Sequence, residues 1–258
     1  MKFKTTLWAA VLAAVFFSGC LPSGKTKTPK LDDDALIFFQ AQKALDARDY
    51  PDAAEMLTIF LREFAGVKHY SWGLQRMGEA MQGLLQTRYL QPIKNGQNES
   101  AVREAFLASY GKYEFWVTDK EHLHYDGSHY RTLLEEHPDS NIADEAAYRL
   151  ALLQTATTDT SESIEQEVQA LAQVLERYPG TSLRYEILYI MAYRYHQLYE
   201  RSMYGARGEP SNRAEAQRYK EKAAYLYSLA LKSPRHSRFA EKAWQNLQDL
   251  EDGRRIFP

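Results

Sequence analysis

The amino-acid sequence predicts an all-α fold built from successive helix hairpins. Three observations carry that expectation. Apolar residues recur three or four apart from Ala35 onward. Alternating or β-branched stretches of strand length are almost absent, which argues against a sheet. A pattern in which a hydrophobic helix end runs into Pro, then Ser or Thr, then another apolar helix recurs along the second half of the chain. With 45% apolar and 26% charged residues in 258, the composition is that of a folded body with a real core rather than a disordered chain.

Residues 1–19 read as a secretory signal. Lys2 and Lys4 precede an apolar run from Leu7 to Phe17, too short for a hydrocarbon core that needs about 20 residues. Phe17-Ser18-Gly19-Cys20 resembles the lipobox of bacterial lipoproteins, with Phe where Leu is usual. The resemblance implies cleavage before Cys20 and acylation of its thiol and new amino terminus. Several acyl chains, at about 0.8 kcal/mol per buried CH₂, make such an anchor effectively permanent. Leu21 rather than Asp at the next position implies, by the same resemblance, the outer membrane. Residues 20–34 continue as a polar tether with two prolines and separated charge blocks.

The helical body is expected over 35–258. Its first hairpin breaks at Ala47–Asp52, where Asp49 suits a helix N-cap and Pro51 a first turn. Ala41 and Ala53 stand where two crossing helices leave no room for a branched side chain, and Leu57 and Phe60 face the core. These residues resemble a tetratricopeptide repeat, a unit of about 34 residues. Two departures are Ile37 in place of the leading aromatic and Ala65-Gly66 where Pro is expected. The recurring turns follow at Pro138-Asp139-Ser140, Pro179-Gly180-Thr181 and Pro234 to Ser237. Their spacing exceeds a strict repeat, so insertions are expected at Thr155–Ser163 and Gly205–Asn212. Residues 92–131 match no repeat. A lipobox, a short tether and an immediate helical repeat resemble the β-barrel assembly lipoprotein (BamD-like) family most, with the Tol-associated coordinator family as a relative of the same pattern. The resemblance implies a tetratricopeptide-like helix-hairpin solenoid with irregular repeats.

A formal charge of −2 argues against a dedicated nucleic-acid binder, whose affinity rests on clustered Lys and Arg. The single cysteine excludes an intrachain disulfide and a multi-thiolate zinc site. The densest polar cluster is His122, His124, Asp126 and His129, either a solvated loop or a metal site on extended backbone. No Gly-x-Ser-x-Gly elbow, phosphate loop or His-Glu-x-x-His helix occurs.

Aromatic residues are the strongest binding candidates. Tyr185, Tyr189 and Tyr193 form one stripe four residues apart, opposite Ile187, Met191 and Tyr195. Tyr113 and Trp116 belong to a second group. Tyrosine suits both a buried helix and an interface that stays wet at one end, so core packing and partner binding are both open. The expected function is a non-catalytic periplasmic adaptor in envelope biogenesis, needing no cofactor or metal. By resemblance it serves β-barrel protein assembly through protein partners. The alternatives are a scaffold for cell-wall or polysaccharide-export machinery and a peptidoglycan-acting enzyme using carboxylates.

Overall fold

A computed structural model describes residues 33–113, 115–117, 122–154, 160–205, 211–233 and 238–257. The expected signal segment, Cys20 and most of the tether lie outside the described residues. What is described is mostly α-helical, as the apolar spacing predicts. No helix among the described residues is long and apolar enough to cross a membrane.

Helices α1 (Asp33–Asp46) and α2 (Tyr50–Glu63) form the expected first hairpin. The Asp49 carboxylate accepts the Asp52 N–H and Pro51 sits in the first turn, so this end is capped by its own sequence. Ala41 and Ala53 are both wholly buried where the helices meet. Helix α1 begins two residues before the expected start, with Asp33 and Asp34 at the positive end of its dipole.

Helix α3 (Tyr70–Leu84) packs against α2 and, further on, against α6 (Ser128–Glu136). Two glycines permit this closeness. A Cβ at Gly78 would lie 2.4 Å from the Tyr130 ring, and one at Gly83 would lie 2.2 Å from the Tyr50 ring. The helix then passes into a π-helical turn, Leu85–Leu90, and a short α4 (Gln91–Lys94). Pro92 offers no N–H here, and the Gln91 N–H donates to the Gln86 carbonyl five residues back.

Helix α5 (Glu99–Tyr110), capped by Asn98, leads to the one element that the sequence argued against. Strands β1 (Phe115–Val117) and β2 (Leu123–Tyr125) pair antiparallel, with Phe115 opposite Tyr125 and Trp116 opposite His124. Three residues per strand are too few to show an alternating pattern. The ribbon is held by tertiary contacts instead: Phe115 meets Phe106 edge-on at 4.9 Å, and the buried Tyr125 meets Tyr130. Tyr89 of the π turn accepts the Leu123 N–H and donates to Glu99 at 2.7 Å, pinning the ribbon from below.

Among the described residues the remaining elements are all helices: α7 (Ala143–Gln154), α8 (Ser161–Arg177), α9 (Arg184–Tyr204), α10 (Arg213–Ala230) and α11 (Arg238–Glu251). The insertion expected at Thr155–Ser163 ends earlier than its sequence bounds. Thr160 and Ser163 form a capping box that already starts α8.

The turns before α3, α7 and α9 share one hydrogen-bond pattern. In the first, the N–H groups of Phe64, Val67 and Tyr70 donate to the carbonyls of Phe60, Phe64 and Val67. His137, Ser140 and Ala143 repeat it, as do Tyr178, Thr181 and Arg184. The turn at Ala65-Gly66 keeps this hydrogen-bond pattern without a proline, by a different backbone route: Gly66 has a φ of +88°, whereas the matching Asp139 and Gly180 have no positive φ. Each later turn is also tied to the helix begun by the one before. Ser140 Oγ donates to Ser71 Oγ at 3.2 Å, and Thr181 Oγ1 donates to Asp144 Oδ2 at 2.7 Å. Ser71 and Asp144 are both the second residue of their helices.

Apolar side chains bury in two clusters, one from Ala41 to Ala146 and one from Tyr148 to Leu250. Helix α7 belongs to both, and Tyr178 packs against both.

Candidate binding surfaces

A cleft of about 360 Å³ opens between α1, the start of α2, α3 and α7. Gln42 and Asp46 line it from α1, Tyr50 from α2, Arg76, Glu79 and Gln82 from α3, and Arg149 from α7. Every one of these except Tyr50 reads in sequence as a solvated helix face, which is why spacing alone does not single them out. Arg76 Nη1 donates to Glu79 at 2.7 Å, and its guanidinium lies 5.9 Å over the Trp72 ring. Arg149 pairs at 3.5 Å with Glu145. Burial works against the Arg149 charge, but Tyr130, Glu145 and Glu79 outweigh it and hold the pKa above its ordinary value. Both arginines leave a buried Nε–H without a partner. Amides, paired carboxylates and the exposed parts of two guanidinium groups can bind peptide backbone and carboxylate groups.

The tyrosine stripe of α9 is placed differently from an open concave face. Ile187 and Met191, on the opposite side, are buried in the second cluster as expected. Tyr185, Tyr189 and Tyr193 are half-buried. Tyr189 lies within 6.2 Å, ring to ring, of Tyr193, Tyr227 and Phe239, and accepts the Asn246 amide at 3.3 Å. Tyr193 meets Phe257 at 4.9 Å. Asn246 also donates to the wholly buried Tyr227 hydroxyl, which lies 3.5 Å from His196 Nδ1. One step on, His196 Nε2 is 3.5 Å from the carboxylate of Glu200. A polar seam thus runs through α9, α10 and α11 beneath the stripe. His196, wholly buried, is held neutral to about pH 4 by desolvation and by the nearby Lys220 charge.

Tyr113 is half-buried beside the first cluster, with Lys112 over its ring at 5.2 Å. Trp116 lies on β1; its side chain is outside what the structure describes. The two aromatic groups flank separate clusters, so the structure does not bring Tyr113 together with the α9 stripe.

Two of the three clustered histidines, His122 and His129, are engaged elsewhere. His122 Nδ1 hydrogen-bonds Glu99, whose pKa is lowered by its bonds to Tyr89 and His122. His129 Nδ1 pairs with the Tyr125 hydroxyl at 3.0 Å, and Asp126 binds Arg131. Burial lowers the His124 pKa. Among the described residues no group of three His, Cys, Asp or Glu could hold a metal ion.

Against known proteins, the chain matches no protein-family model and no curated protein.

Proposed function

We propose that this chain is a non-catalytic scaffold, a tetratricopeptide-like solenoid of irregular helix pairs that binds protein partners in envelope biogenesis. Its address is the periplasmic face of the outer membrane, held by acyl chains on Cys20. Its leading pathway is β-barrel protein assembly, on the resemblance of its lipobox, tether and first repeat. The observation that carries the binding role is the cleft across α1, α3 and α7. It offers two partly exposed guanidinium groups and a row of amides to one extended segment. The repeated turn, with its hydroxyl tie to the helix begun by the turn before it, supports the repeat architecture. Stacked helix pairs that leave such surfaces open bind extended partners rather than small substrates.

The test is a photo-crosslinking residue in place of the exposed Gln86 at the rim of the cleft, activated in intact cells. Adducts with barrel-assembly components or their clients are expected. Adducts with cell-wall synthases or export machinery would move the scaffold to the alternative pathway. Release of soluble fragments from purified peptidoglycan would overturn the non-catalytic reading. Cys20→Ser should leave the protein soluble or unprocessed; firm membrane attachment after cleavage would refute the anchor.

A further inference from the structure

The stripe that sequence reasoning offers to a partner is already in contact with a peptide segment, and that segment is the protein's own. Residues Arg254–Phe257 lie outside any helix and cross the second half of α9. Glu200, only 4% exposed, receives the Ile256 N–H at 2.7 Å on one carboxylate oxygen and the Phe257 N–H at 3.1 Å on the other. The Phe257 ring sits 4.9 Å from Tyr193 and meets His196 edge-on at 6.1 Å. The Arg255 guanidinium lies 4.7 Å over the Tyr204 ring, with its Nε 3.9 Å from Glu200.

We propose that this face of α9 is a recognition slot for an extended peptide bearing a basic, an aliphatic and an aromatic residue in succession, and that residues 254–257 occupy it as an exchangeable internal ligand. The geometry is that of peptide recognition. One carboxylate reads two consecutive backbone N–H groups, one aromatic wall takes the ring, and one tyrosine face takes the cation. The occupant is anchored at its start, where Arg254 pairs with Asp249 and Asp252 at 2.9 Å each, and is open on its outer face beyond that. Arg254 and Arg255 are exposed, and Ile256 and Phe257 are only half-buried, over a floor of buried Glu200 and His196 and a rim that includes the exposed Tyr204.

Departure of the segment would leave the Glu200 carboxylate without those two donors, next to a neutral His196 that does not compensate it. Burying a charge without donors is costly. The slot therefore changes occupants rather than standing empty, and a partner's segment that supplies the same donors is the natural exchange. The inference rests on the scaffold reading only for the presence of such a partner. The slot itself is separate from the cleft on α1, α3 and α7.

The test uses a fluorescent peptide of residues 252–257 (Asp-Gly-Arg-Arg-Ile-Phe) and the full chain, read by anisotropy with helicity checked by circular dichroism. An Arg255→Ala/Phe257→Ala double variant weakens the internal occupant. It should bind the peptide at least tenfold more tightly than the unaltered protein. Adding Glu200→Gln should remove that gain, and a peptide with Ser in place of Phe should not bind. Equal binding by the unaltered and double-variant proteins would overturn the proposal, as would indifference to Glu200→Gln or absence of binding with helicity retained. Loss of the fold in the double variant would also overturn it, by making the segment a structural strap. Crosslinking from Gln86 reports on the cleft independently: peptide binding without cleft adducts sinks the scaffold reading and spares the slot, and the reverse result sinks the slot alone.

Discussion

Acidification should weaken the fold through one side chain, His196. The ring is wholly buried and faces Glu200 on its own helix, Lys220 and Tyr227 on α10, and Phe257. Its pKa is lowered from an ordinary 6.5 to about 4, first by desolvation and then by Lys220. The folded protein therefore refuses a proton that the unfolded chain accepts between those values. Since the unfolded state binds more protons there, stability rises with pH, and it is lost as the pH falls through that window. A gap between about 4 and 6.5 corresponds to about 3 kcal/mol once the pH is below both, of which about 2 kcal/mol is gone by about pH 5. Glu200 acts with the opposite sign. Burial raises its carboxyl, so its penalty on the folded state fades as the solution becomes acid. Comparing the unaltered chain with His196→Gln, Glu200 being kept, isolates the histidine. Urea unfolding at about pH 8 and about pH 5 should show a loss about 2 kcal/mol larger in the unaltered protein. Equal losses, or an imidazole resonance of His196 titrating near 6.5 in the folded state, would refute the reasoning.

Three further outcomes are expected. Gly78→Ala would drive a Cβ to 2.4 Å from the wholly buried Tyr130 ring, lowering stability by on the order of 1–3 kcal/mol in thermal unfolding. Tyr189→Ala removes a half-buried ring from three aromatic contacts and one hydrogen bond. It should cost about 2 kcal/mol, and unchanged stability in denaturant would return that residue to a purely partner-facing role. Zinc added to the protein should change neither stability nor the histidine resonances, because His122 and His129 are turned to Glu99 and Tyr125; a stoichiometric shift in both would restore a metal site.

The helix pairs were legible because local chemistry writes them. Asp49 and Pro51 start α2, and the Pro-Asp-Ser and Pro-Gly-Thr turns end α6 and α8 in the same way. What local chemistry does not write is the choice among equivalent faces. Helix α9 carries apolar or aromatic residues on nearly every side, so its spacing leaves open which tyrosines meet solvent. That choice is made by Phe239, Asn246 and Phe257, all distant in sequence. The turn at Gly66 shows the converse, in which different residue types with different backbone angles close the same set of hydrogen bonds. The β-ribbon was hidden for a third reason: its stability comes from Phe106, Tyr89 and Tyr130 rather than from its own six residues. The cleft escaped notice because Gln and Arg on an outer helix face look the same whether or not a neighbouring helix walls them in.

The hydroxyl ties from Ser140 and Thr181 lie beside the starts of the helices that follow them. They rivet the starts of α7 and α9, and α9 runs away from its riveted end for 21 residues, about 30 Å. A tilt of roughly 5° about the riveted end would displace the far end by roughly 2–3 Å while scarcely moving the turn, since displacement grows with distance along the rod. Glu200 and Tyr204, the residues that grip Arg255, Ile256 and Phe257, stand at that far end, where leverage is greatest. The pose of α9 and the contents of the slot are thus joined by a lever, so a small tilt imposed on that helix would be felt most where the segment is held.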